Sequence, residues 1–269
     1  MAQISLLLAL PGEIRNQVVE YTIHGELGST PPPIWKSPLA FASTCRQLYL
    51  EYQALALCTT VFTIQWSSAS TLNAKASILP SLAVSTITKL QIQLPPSLAG
   101  LYVDDSPRSR VKSFGFALAG LTGLEELYFR YRPEHHEEGA GSRGRELVVQ
   151  IIWRILWEKH MKSLRKICVV HDGTQPHLSL PLLYGMLESY QPLRQSKRWK
   201  VQSDLAHGQL LFVERCQGQI LRQISVLVGY SFREAEQYVA VCEQILQVSL
   251  HLGRVMSQKN RESQFNAKS

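Results

Sequence analysis

Three stretches of this chain repeat one design: ITKLQIQL at 87–94, LEELYFRY at 124–131 and LRKICVVH at 164–171. Each puts an apolar residue at its first, fourth and sixth positions: Ile87, Leu90 and Ile92, then Leu124, Leu127 and Phe129, then Leu164, Ile167 and Val169. Residues two apart share a strand face, so each stretch predicts a strand with one buried side. The starts lie 37 and 40 residues apart, a near-regular period with one strand per unit, as in leucine-rich and related β/α arrays. Between them, 109–121 and 145–161 read as helices, the second carrying Leu147, Ile151, Ile155 and Leu156 at helical spacing. Strand, helix and strand in repeated order imply a parallel sheet with right-handed crossovers. The units are few and degenerate, which favours a short curved, leucine-rich-like α/β layer over a full horseshoe. A single mixed α/β sheet with coincidental spacing is the alternative.

The chain has room for such a body. With 269 residues, 45% hydrophobic and 18% charged, it can bury one large core or two small ones. A net charge of +7 permits attraction to anionic partners without identifying one. Five cysteines without C-x-x-C spacing suit a reducing compartment, cytoplasmic or nuclear. The apolar run ISLLLAL near the amino terminus is short, has no basic residue before it and meets Pro11 and Gly12 at once, unlike a signal peptide or a membrane span.

Ahead of the repeats, LPGEIRNQVVEYTI at 10–23 starts as a helix should: Pro11 suits a first turn whose N–H is unpaired anyway, and Glu13 complements the helix dipole. Ile14, Val18 and Tyr21 form its predicted apolar face, with Arg15, Asn16, Gln17 and Glu20 mostly opposite. A loop with Pro31, Pro32 and Pro33 follows, then a second helical pattern from Leu39 to Leu55, then the strand TTVFTIQW. Farther on, 131–145 reads as a polar, Gly-rich loop and 191–200 as a basic one. WKVQSD and GQLLFVER pair as a hairpin, unless the latter opens a helix. Ser231 and Glu234 form a capping box before a stripe of Ala235, Tyr238, Cys242, Ile245 and Ser249. The expected organisation is a helical head over 1–66 running into the first strand, a β/α body over 67–190, a basic loop, hairpin and closing helices over 191–258, and a tail over 259–269.

The head carries a resemblance. Leu10, Pro11, Glu13, Ile14, Arg15 and Asn16, then Thr44, Cys45, Arg46, Gln47, Tyr49, Glu51 and Phe62 fit a pattern that resembles the F-box-like amino-terminal domain of many fungal proteins, including the family named for two Glu-x-Arg motifs. The first motif is intact as Glu13-Ile14-Arg15, but the second reads Glu51-Tyr52-Gln53, so any contact built on that arginine is lost. The likeness covers about the first quarter of the chain. It implies docking to a Skp-type adaptor, which ties a substrate receptor to a cullin–RING ubiquitin ligase, with the target held by a following repeat array. Leu10, Pro11, Ile14, Val18, Phe41 and Leu48 are the expected partner-binding residues, either toward an adaptor or toward the protein's own body.

Catalytic signals are weak beside this. His135 and His136 precede Glu137 and Glu138, but adjacent histidines on an extended backbone diverge and no H-E-x-x-H accompanies them. His171 and Asp172 end a predicted strand, where α/β folds place catalytic groups. They define the alternative, an enzyme or ligand-binding site; Asp-Gly after a strand is also ordinary turn chemistry. No phosphate-binding glycine loop occurs. The basic run Arg194, Lys197, Arg198 and Lys200 around Trp199 has the residue types to hold phosphate and stack a base, yet a solvated loop is the simpler reading and nucleic acid is disfavoured. Trp153 and Trp157 read as core between helix and sheet. The expectation is a non-catalytic interaction protein with no catalytic residue, cofactor, metal or membrane partner.

Overall fold

The computed structural model describes residues 9–24, 33, 46–65, 69–94, 111–131, 140–158, 160–171 and 178–229. Side chains at 20–24, 69, 131, 140–144, 171 and 205 are outside that description, as are the predicted capping box, its helix and the tail.

Two helices come first, α1 (Gly12–His24) and α2 (Arg46–Thr59), then strand β1 (Val61–Gln65). Short helices α3 (Ala69–Ala76) and α4 (Ser81–Thr86) lead to β2 (Lys89–Gln93). Then come β3 (Glu126–Tyr131), α5 (Ala140–Trp157), β4 (Lys166–His171), α6 (Leu180–Ser189) and α7 (Gln191–Arg194). The last described elements are β5 (Trp199–Asp204), β6 (Gln209–Cys216) and β7 (Gln219–Gly229). All seven described strands form one mixed sheet in the order β1-β2-β3-β4-β7-β6-β5, so the α/β class is as expected. Six of them fall in segments read as strands from the sequence, and β7 was not anticipated.

The repeat is visible in the register. Leu90 stands beside Leu127 and Leu127 beside Ile167, while Ile92, Phe129 and Val169 align one pair farther along. β1 and β7 extend these rows through Phe62 and Ile64 on one side and Val226 on the other. Ile87, Leu124 and Leu164, at the first position of each unit, are fully buried below the rows. Backbone bonds tie the units at this level: Glu126 N–H donates to the Thr88 carbonyl, Lys166 N–H to Glu125, and Ser225 N–H to Arg165. Burying each such aliphatic side chain contributes about 1.5–3 kcal/mol, and a slip of one residue would turn every row to the opposite face. α5 covers the rows with Leu147, Val148, Ile151, Ile152 and Ile155, and α6 adds Leu183 and Leu187.

Elsewhere the reading needs correction. The segment 109–121 is no helix over its described part, 111–121. Gly115 and Gly120 take positive φ of 63° and 78°, which ends any helix there, and Phe114 and Phe116 stack in the core with centroids 5.4 Å apart. Gly123 sits so close to α4 that a Cβ would lie 2.2 Å from the Ser85 carbonyl oxygen. The Gly-rich stretch from Ala140 on belongs to α5 instead of a loop. The sheet is parallel only from β1 to β4 and β7; β6 runs antiparallel to β5 and to β7, so GQLLFVER is a strand. Pro33 reaches β1 through an isolated bridge to Thr63, a single contact that a proline's carbonyl still allows at a sheet edge.

Candidate functional site

The sequence places its densest motif on α1 and α2. The Pro11 carbonyl accepts from Arg15 N–H at 3.0 Å, and Glu13 lies in the first turn, as the dipole favours. From there Arg15 reaches across to α2, its Nη1 3.1 Å from Glu51 Oε2, while its Nη2 donates to the Leu10 carbonyl at 3.3 Å. Gln47 Nε2 steadies the other Glu51 oxygen at 2.8 Å, and Tyr52 O–H donates to Asn16 Oδ1 at 2.7 Å. Arg15 of the first Glu-x-Arg motif is thus paired with Glu51 of the second. Gln53, where an arginine was expected, turns along its own helix and donates to Tyr49 O–H at 3.0 Å.

This clasp departs from the predicted faces of α1, although Gln17 is exposed as expected. Among the described side chains of α1, Val19 is the fully buried one and Arg15 and Asn16 reach toward α2, whereas Ile14 is 44% and Val18 39% exposed, and Tyr21 of the predicted face lies outside the description. The physical reason is that a charged residue on a helix can cover its neighbour with its alkyl stem and end in a salt bridge, an arrangement that apolar periodicity does not register. Among the other expected contact residues, Pro11 is exposed and Leu10 half-buried, Leu48 is 2% exposed, and Phe41 lies outside the described residues. Leu50 is 64% exposed and was not anticipated. With Arg46, Gln47 and Glu51 it lines an open hollow of about 500 Å³. The missed signal is in the helix phase: Leu50 sits about 200° around from Leu48.

The alternative centre gains little definition. His171 ends β4 opposite Tyr131, but its side chain and Asp172 are outside the described residues, as are His135 and His136. Among the described residues no group of three or more His, Cys, Asp and Glu is arranged to hold a metal ion. No helix among them is long and apolar enough to cross a membrane.

Of the stretch read as a basic loop, Gln191–Arg194 form α7 and Trp199 is instead buried at the start of β5. The Arg222 guanidinium lies 5.1 Å over its ring, and Arg222 pairs with Glu214 at 3.2 Å while Arg198 closes on the same carboxylate. Arg222 also donates to the Met161 carbonyl. Burial draws its pKa below the ordinary arginine value and Arg198 adds to that, against the opposing pull of Glu214. The cluster locks β5 to β6 and β7. Trp153 packs on the core edge, but Trp157 is 51% exposed, so only the first is core.

Comparison with family models, curated proteins and solved structures returns no match.

Proposed function

We propose that this protein is a non-catalytic interaction protein whose amino-terminal helix pair is an F-box-like head that docks a Skp-type adaptor, with the α/β body presenting a target to a cullin–RING ubiquitin ligase. The observation that carries the reading is a division of labour on α1 and α2. Arg15 with Glu51 and Asn16 with Tyr52 fasten the helices to each other, and Gln47 steadies Glu51 from within α2. Ile14, Val18 and Leu50 remain substantially exposed, and exposed aliphatic side chains on neighbouring helices are the usual material of helix-mediated docking. Leu48 acts inward, anchoring α2. A cytoplasmic or nuclear site of action follows from the same reading.

Co-purification with a Skp-type adaptor tests it. The wild-type chain is expected to retain the adaptor, and Leu10→Asp combined with Ile14→Asp, checked for folding by circular dichroism, is expected to lose it. Failure of the wild type to bind, or binding that survives in the folded variant, contradicts adaptor docking.

A further inference from the structure

The described helices account for only one face of the sheet. On the other, Thr63, Gln91, Tyr128, Cys168 and Leu227 are register partners across five strands. Tyr128 and Cys168 are fully buried, Val170 and Leu227 nearly so, and Gln91 is 3% exposed. A sheet face open to water leaves such side chains part-exposed, so this one is covered. Yet the buried cluster on this face holds Tyr128, Cys168, Val170 and Leu227, with Val61 packed on it and no residue of a described helix. Tyr128, Arg130, Lys166 and Cys168 each take part in at least one further interaction.

We propose that residues 231–249 are the cover, lying across this face as a helix. The chain leaves β7 at Gly229, beside Val170 of β4, so the next residues begin at the face to be covered. Their sequence has the Ser231–Glu234 capping box and the stripe Ala235, Tyr238, Cys242 and Ile245. As a helix the segment is about 28 Å long, and the span from β7 to β1 is about 19 Å at the usual strand spacing. Charge also fits. The face carries Lys89, Arg130 and Lys166 against Glu126, and the segment carries Glu234, Glu236 and Glu243 against Arg233. Gln91 Nε2, which has no hydrogen-bond partner among the described residues, would meet a segment containing Gln237, Gln244 and Gln247. Resting on the interaction-protein reading, the consequence is that a target does not use this sheet face while the segment occupies it.

Cys168 reports on the cover. In the intact chain its alkylation by iodoacetamide, followed by mass spectrometry of its peptide, is expected to be slow. Tyr238→Asp with Ile245→Asp should speed it at least roughly tenfold by local uncovering, with hydrogen exchange in α5 unchanged. Leu6→Asp with Leu8→Asp should leave it protected. Protection persisting in the first variant, or lost in the second with α5 intact, overturns the proposal. Should the first variant fail to fold, zero-length carbodiimide crosslinking of the unaltered chain decides: crosslinks from Lys89 or Lys166 to Glu234, Glu236 or Glu243 support the cover, and their absence overturns it. Neither readout involves the adaptor, so the two proposals fail separately.

Discussion

In the helix pair, Arg15 meets Glu51 and Asn16 meets Tyr52 through polar atoms; in the sheet, Leu127 meets Leu90 and Ile167 through aliphatic ones. The helices spend their polar motif on holding each other and leave Ile14 and Leu50 outside. The sheet spends its repeated apolar positions on the core and sets Lys89, Glu126 and Lys166 in a row on the opposite face. The difference teaches that a motif's exposed and structural residues cannot be sorted by polarity alone. In the head the charged Arg15 and Glu51 are fasteners beside the buried Val19 and Leu48, and the aliphatic Ile14 and Leu50 are outward surface.

The contrast breaks most readily in the sheet. Phe129→Ala empties a fully buried row position and is expected to cost about 3–5 kcal/mol in urea denaturation. A loss under about 1 kcal/mol would mean that the aligned rows are not the core's main support. Next, Gly123→Ala forces a methyl against the Ser85 carbonyl and should cost about 1–3 kcal/mol by the same measurement; a neutral result would mean that the backbone at Gly123 stands farther from α4 than this close approach implies.

A smaller effect sharpens the polar side of the sheet. Burial works against ionisation of Glu126, but the Tyr128 O–H, then Lys166 and Lys89, outweigh it and hold its pKa below the ordinary 4.5. A carboxyl with a lower pKa in the folded than in the unfolded chain adds stability that is present above the unfolded value and lost as pH falls through the folded one. Urea midpoints should therefore fall on acidification below about pH 4.5, with a shallower fall in Glu126→Gln. Identical slopes in the two proteins would remove Glu126 as a source of the acid sensitivity. The smallest effect belongs to the clasp. A double-mutant cycle on Arg15→Ala and Glu51→Ala should give a coupling of about 0.2–1 kcal/mol, diminishing with salt. A coupling of zero at low salt would leave the Tyr52–Asn16 hydrogen bond to fasten the two helices without help from the ion pair.

Much of the sheet was legible because its signal is local and periodic. The positions of Leu90, Ile92, Leu127, Phe129, Ile167 and Val169 recur in sequence as they align in space, and the alternation that marks a strand also fixes which face it buries. The segment 109–121 misled because Val111, Phe114, Leu118 and Leu121 recur at helical spacing, while two glycines with positive φ decide the backbone. Trp199 misled for another reason: its neighbours are basic in sequence, but the arginine over its ring, Arg222, comes from β7. In the head, helix existence was readable and helix phase was not, since the long-range pair of Arg15 with Glu51, 36 residues apart, rotated α1 against its own apolar pattern.

The most direct test sets the two regions against each other. Ile14 and Leu50 on the head, and Ile78 and Leu82 near α4 of the body, are all exposed aliphatic residues, so aspartate at either pair should cost little stability. Calorimetric titration of the full chain with a Skp-type adaptor is expected to show binding that weakens at least about 100-fold in Ile14→Asp with Leu50→Asp and stays unchanged in Ile78→Asp with Leu82→Asp. No binding by the wild-type chain, or an equal response of the two variants, would contradict the claim that the amino-terminal helix pair is the protein's docking surface.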